Sequence, residues 1–231
     1  MSKGIEYERK FLVKHDGWKQ IPPQEVIHIT QNYLPEKDEH GLVATLLNGP
    51  DQVMIGLRHN GHFLGAAMVD PERIDAFGRA NLGVFTDPSS EIEIGERVEA
   101  RIRHQCDEQG RDEFVMTLKA KTKNKGERFE LEFDVPSTFA ERLLPHCPNF
   151  TEKTRYVIPQ DGFKWEVDVF HGANSGLETV EIEIKDGKEP TQLPDWIGRE
   201  ITSESKYGNA SLARIPYKQW ARDNAMQVGA I

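Results

Sequence analysis

The chain has 231 residues, enough to bury a core without disulfides or a structural metal, with 37% hydrophobic and 29% charged residues. Eleven Phe and four Trp exclude a disordered chain, and no run approaches the ~18 apolar residues of a membrane span. A formal charge of −9 counts against nonspecific nucleic-acid binding. Cys106 and Cys147, the two thiols, lack the spacing of a zinc site or a disulfide framework. The run MSKGIEYERK has no apolar signal region, so the expected compartment is the cytoplasm.

Charged and apolar residues alternate with period two, which predicts a mostly antiparallel β protein. Ile5 to Val13 puts Glu6, Glu8 and Lys10 on one strand face, with Tyr7 and Phe11 opposite. Residues 36–95 carry few such strands and much Gly, Asp and Pro, and read as an insertion into a single domain spanning 1–231. Within them, Asn60-Gly61 between apolar residues predicts a hairpin, Pro71 to Ala80 a helical turn, and Thr86 to Ser90 a loop.

The alternation resumes in Val98 to Arg103, Met116 to Lys121 and Phe129 to Val135. Asp107 to Gly110 and Asn124-Lys125-Gly126 are the intervening hairpin turns. Ser137 to Leu144 is a predicted short helix with Ser137 as N-cap. Lys153 to Val157, Trp165 to Val169 and Val180 to Lys185 are further strands, the first two joined through Gln160-Asp161-Gly162. A helix starting at Asn209 must break or restart at Pro216.

Two readings of the charged faces are open. In the first they are solvated, with acidic strands beside basic ones. In the second they converge on a lumen, where carboxylates hold a hard cation and Lys and Arg hold phosphate oxygens. Single-signed pairs favour the second: Glu6/Glu8, Arg101/Arg103, Lys119/Lys121 and Glu181/Glu183 leave little room for the Thr, Ser and Gln of an ordinary outer face.

Glu6-Tyr7-Glu8-Arg9-Lys10 resembles the ExExK signature of the CYTH, or triphosphate tunnel metalloenzyme, superfamily. The order of later segments strengthens the resemblance. Gln31 to Leu34 looks like the second strand, Arg101-Ile102-Arg103 like RxR, and Thr117-Leu118-Lys119 like TxK. Arg128 to Glu132 resembles RxExE, Lys153-Thr154-Arg155 KxR, Trp165 to Asp168 WExD and Glu181-Ile182-Glu183 a late ExE. Ser205 to Ala213 is similar to the family's C-terminal stretch, and only residues 36–95 fall outside the match.

The resemblance implies a mainly β (α+β) fold, an eight-stranded antiparallel β-barrel tunnel with flanking helices and an inserted hairpin-containing segment. It implies Mg²⁺ or Mn²⁺ as cofactor, held by Glu6, Glu8, Asp168, Glu181 and Glu183. Lys10, Arg101, Arg103, Lys119, Lys121, Lys153, Arg155 and Lys206 become the phosphate-binding set, and Lys10, Arg103 and Glu132 the catalytic one. The implied activity is hydrolysis of inorganic triphosphate or a related triphosphate, water attacking the terminal phosphorus. A class IV adenylate cyclase, a thiamine triphosphatase and a non-catalytic polyphosphate or nucleotide binder are the alternatives. The expected partner is a triphosphate-containing small molecule, with no membrane or specific nucleic acid, and with a homodimer as an option.

Overall fold

The computed structural model describes residues 7–35, 42–48, 53–70, 72, 91–93, 98–121, 128–184 and 189–221. These form strands β1 (Tyr7–Val13), β2 (Glu25–Tyr33), β3 (Leu42–Asn48), β4 (Val53–His59), β5 (His62–Val69) and β6 (Glu91–Glu93). They continue with β7 (Val98–Asp107), β8 (Asp112–Lys121), β9 (Arg128–Val135), β10 (Asn149–Gln160), β11 (Phe163–Phe170), β12 (Glu178–Ile184) and β13 (Ile197–Glu200). Two short α-helices are described, α1 (Ser137–Leu143) and α2 (Asn209–Arg214).

The chain divides into two compact units. One takes the residues up to Thr30, 106–111 and those from Thr151 onward; the other takes 31–105 and 112–150. In the first unit the strand order is β13-β1-β12-β11-β10-β2. The order exposes why charge and apolar character alternate. Phe11 stands opposite Val180, and Val180 opposite Val167, so one face is apolar. Phe11, Trp165, Val167, Val180, Ile182 and Trp196 close the core on that side. Residues one step along each strand point the other way, and they are the charged ones.

In the second unit the order is β2-β7-β8-β9, with a separate sheet β5-β4-β3-β6. Its core joins Ala100, Ile102, Met116, Leu118 and Leu131 to Ala44, Ile55, Leu57, Ala67 and Val69. Apolar residues of the expected insertion thus share a core with α1, whose Phe139, Ala140 and Leu143 are buried. The closest approach is at Gly65 on β5, where a Cβ would lie 2.5 Å from the Phe139 ring.

The turns follow their residues. Asn60-Gly61 and Asp161-Gly162 both have positive φ, 48° and 79° in the first, 53° and 78° in the second, the type I′ geometry that suits the twist of a two-residue hairpin. At the β7–β8 turn the Asp107 carboxylate accepts from the backbone N–H groups of Gln109 and Arg111, and Gly110 has φ +96°.

Two expectations need correction. The ladders are open: neither unit's described strands close into a barrel, and the four-residue β13 ends the first sheet, paired to β1 through a register shift. The cap of α1 is Pro136, without a side-chain hydrogen bond, so Ser137 is the helix's first residue rather than its cap. The chain does leave the helical path before Pro216, since α2 ends at Arg214 and helical residues resume at 217–221. Asn124 to Gly126, Pro71 to Ala80 (apart from Glu72) and Thr86 to Ser90 lie outside the described residues. Among the described residues no helix is long and apolar enough to cross a membrane.

Gly65→Val should push Phe139 out of its slot, an overpacking cost of about 1–3 kcal/mol. Thermal unfolding should then begin several degrees lower, at about 2–4 °C per kcal/mol for this size. An unchanged Tm would show that β5 does not pack on α1.

Candidate active site

On the charged face of the first unit, strand register places the side chains before any detail of rotamer. Lys10 is opposite Glu181 and Glu181 opposite Glu166. Glu8 is opposite Glu183, and Asp168 lies between Thr179 and Arg155. Directly paired residues share a face, so four strands deliver one continuous patch of charge.

Ion pairs organise it. Lys10 Nζ lies 2.9 Å from Glu181 Oε1 and also donates to the Tyr207 carbonyl at 3.0 Å. Arg155 is the hub: its Nε and Nη2 donate to the two oxygens of Asp168 at 2.7 and 2.8 Å. The same guanidinium reaches Glu181 through Nη2 at 2.8 Å and Glu166 through Nη1. Lys153 Nζ adds a bond to Asp168 Oδ2 at 2.5 Å, and its ammonium lies over the Phe170 ring. Lys153 and Asp168 are only 3% and 0% exposed. Asp168 depends on both Arg155 and Lys153, whereas burial and the like charge of Arg155 push the Lys153 ammonium below its ordinary pKa and Asp168 opposes them.

The carboxylates fall into two electrostatic classes. Burial alone would raise Glu181, but Lys10, Lys153 and Arg155 hold it far below its ordinary range. Asp168 is likewise lowered against its burial by Arg155 and Lys153. Glu8 moves the other way, raised by desolvation and by the charges of Glu181 and Glu166, with Arg155 and Lys10 offsetting only part. Glu166 is also raised, by burial first and then by Asp168 and Glu181, despite its ion pair with Arg155.

The second unit carries its own cluster on β7, β8 and β9. Thr117 is opposite Glu132 and Lys119 opposite Glu130. Arg101 donates to the Thr117 hydroxyl through Nε at 3.1 Å and to Glu132 through Nη2 at 3.2 Å. The Thr117 hydroxyl, fully buried, donates to the same Glu132 oxygen at 2.9 Å. Lys119 pairs with Glu130 at 2.5 Å. Burial works to raise Glu132, but Thr117, Arg103 and Arg101 bring it below its ordinary value. A carboxylate in that state holds guanidinium groups well and takes protons poorly.

Most of the residues singled out by sequence therefore fall into two groups: Glu8, Lys10, Lys153, Arg155, Asp168, Glu181 and Glu183 in one unit, and Arg101, Arg103, Lys119 and Glu132 in the other. Glu6 lies outside the described residues, and Lys121 is described only as the end of β8, opposite Arg128. Lys206 is exposed, its ammonium 4.7 Å from the Trp220 ring centre and 3.8 Å from Glu204. The sequence reading missed Thr179, a buried hydroxyl on the charged face whose Oγ1 has no hydrogen-bond partner among the described residues. Its signal was its position two residues before Glu181 in the same alternating strand.

Among the described residues no group of three or more His, Cys, Asp or Glu side chains is spaced to hold a metal ion, so the carboxylates of the charged face offer oxygen donors suited to a hard cation without a formed cage. Glu8 and Glu166 are carboxylates whose negative charge the neighbouring Lys and Arg leave partly uncompensated, and a cation bound by oxygen donors relieves that repulsion. Glu181 and Asp168 are already matched to Lys and Arg.

Two variants should separate the classes in metal-free buffer at pH 7. Glu8 binds its proton more tightly when folded, so its charge costs stability once the pH exceeds the folded pKa. Glu8→Gln should raise Tm slightly, by about 1–2 °C. Glu181 has a depressed pKa, so its contribution is present above the ordinary value of 4.5 and fades as the pH falls below it. Glu181→Gln should lower Tm at pH 7 by roughly 5 °C or more, and by less in acid. Melting curves in which both variants lose stability equally would contradict this division.

No family model matches the chain. The chain is 40% identical over 111 residues to an inorganic triphosphatase of Acetivibrio thermocellus, a stretch that makes up 47% of this chain and 70% of that protein. It is 35% identical over 136 residues to an inorganic triphosphatase of Nitrosomonas europaea, covering 57% of this chain and 81% of that protein. The crystal structure of the inorganic triphosphatase NE1496 superposes with a TM-score of 0.46 at 26% identity, over 90% of this chain and 94% of that one. At that TM-score the superposition carries no weight, and the assignment rests on the two sequence matches. On their identity and coverage, the chain belongs to the inorganic triphosphatase family.

Proposed function

We propose that this chain hydrolyses inorganic triphosphate to pyrophosphate and orthophosphate, with Mg²⁺ or Mn²⁺ as cofactor. The observation that carries the reading is the charged face of the first unit, where Glu8, Glu166 and Glu181 stand beside Lys10 and Arg155 on adjoining strands. A face built for solvent would not hold two carboxylates above their ordinary proton affinity next to a buried Lys–Asp pair. The names of the two relatives add the substrate.

Phosphoryl transfer asks a protein for positioning and charge neutralisation more than for covalent chemistry. Lys10 and Arg155 supply donors for phosphate oxygens on the same face as the carboxylates. In the second unit Arg101, Arg103 and Lys119 form a basic group of their own, with Arg101 held by Glu132 and Thr117. Glu8, together with Glu166 and the facing Glu183, would hold the cation, which when bound neutralises charge on the phosphate chain. Water then attacks the terminal phosphorus, the bridging P–O bond breaks, and pyrophosphate leaves.

The test is orthophosphate and pyrophosphate release from tripolyphosphate, ATP and thiamine triphosphate with Mg²⁺ or Mn²⁺, alongside chromatography for cyclic AMP. Orthophosphate release from tripolyphosphate, abolished by chelator, is the expected result. Cyclic AMP with pyrophosphate from ATP would overturn it in favour of a cyclase. Lys10→Ala should raise KM for tripolyphosphate by about tenfold or more, the worth of a charge-assisted hydrogen bond. Glu8→Gln should lower kcat by about 100-fold or more, since loss of a direct ligand costs at least as much as loss of the outer-shell groups that support one.

A further inference from the structure

The buried centre of the charged face holds a group whose role its sequence position does not give. Asp168 has no exposed surface, and both of its oxygens are occupied by cationic donors. Oδ1 accepts from Arg155 Nε, and Oδ2 accepts from Arg155 Nη2 and Lys153 Nζ. We propose that Asp168 is a positioning residue that locks Arg155 for phosphate binding, with Lys153 as its buried counter-charge, and that it ligates no metal.

The geometry of the guanidinium carries the inference. Arg155 offers donors along two edges, and Asp168 occupies the Nε–Nη2 edge as a two-pronged grip. The Nη1–Nη2 edge is thereby turned to Glu166 and Glu181, the carboxylates that lie level with Lys10 across the sheet. Only that edge can be exchanged for phosphate oxygens. Lys153, 3% exposed and already bound to Asp168, is too deep to meet a polyphosphate. Its charge instead makes the Arg155–Asp168–Lys153 group net positive, which steadies the neighbouring carboxylates. A metal at Asp168 would compete with Arg155 and Lys153 for the same two oxygens, and displacing Lys153 would strip a buried ammonium of the hydrogen bond that it makes to Oδ2.

The inference rests on the triphosphatase reading, and its test separates the two. Asp168→Asn is compared with the unmodified protein in two measurements: steady-state hydrolysis of tripolyphosphate, and Mn²⁺ binding followed by the free-ion electron paramagnetic resonance signal. KM should rise by about tenfold or more while Mn²⁺ affinity stays within about twofold. A tenfold loss of Mn²⁺ affinity with KM unchanged would overturn the proposal and make Asp168 a ligand. Arg155→Lys guards against a variant that fails to fold, since it keeps the charge and loses the fork. It should raise KM to a similar extent with Mn²⁺ affinity retained, and an unchanged KM would equally overturn the proposal. An unmodified protein that releases no phosphate would instead sink the triphosphatase reading, while the Mn²⁺ comparison would still decide whether Asp168 binds metal.

Discussion

Carboxylates placed side by side on one face of a β-sheet repel, and the first unit is arranged around that repulsion. Glu8, Glu166 and Glu181 occupy neighbouring positions on β1, β11 and β12, where cross-strand distances are short. Arg155 is the side chain that makes this tolerable, because it bonds three carboxylates at once. Lys10 and Lys153 complete the compensation at Glu181 and Asp168, and they leave Glu8 and Glu166 short of positive charge. Burial is the first cause of both shifts, and the like charge of Glu181 beside them adds to it, so the two carboxylates are the least compensated members of the network.

The apolar side of the same strands supplies the rigidity. Trp165, Trp196 and Phe11 are almost wholly buried, and Trp165 and Trp196 meet edge to face at 6.1 Å. Trp196 Nε1 donates to the Gln160 side chain, so even the polar atom of the ring is satisfied. Lys10, Glu166, Asp168, Glu181 and Glu183 each therefore neighbour, along the strand, a residue fixed in the core. This is how a sheet can hold like charges within a few ångströms without loops, and it fits a reaction that depends on placement. The second unit repeats the device: Leu118 and Leu131 face inward, while Lys119, Glu130, Thr117 and Glu132 form the opposite layer.

Much of this was legible in the sequence because a period of two is unambiguous when one face is charged and the other apolar. Lys10, Arg155 and Glu181 were identified by alternation and motif order, and strand register does bring them together. Turn residues were equally readable, since Asn60-Gly61 and Asp161-Gly162 demand the positive φ that they adopt. What could not be read was the pairing of charges. Asp168 resembles a metal ligand in WExD, and only the structure shows both its oxygens turned to Arg155 and Lys153. Residues 36–95 read as an insertion because they hold few single-signed charged strands and much Gly, Asp and Pro, yet Ile55, Leu57 and Ala67 within them join a core with α1. Closure into a barrel was a family expectation with no local signal, and the described ladders are open.

Anomalous diffraction from crystals grown with Mn²⁺ and tripolyphosphate tests most directly whether the charged face of the first unit is the site. Manganese bonded to the Glu8 carboxylate, with the phosphate chain against Lys10 and the outer edge of Arg155, is the expected result. Manganese bonded to Asp168, or a phosphate chain bound away from β1, β11 and β12, would contradict it.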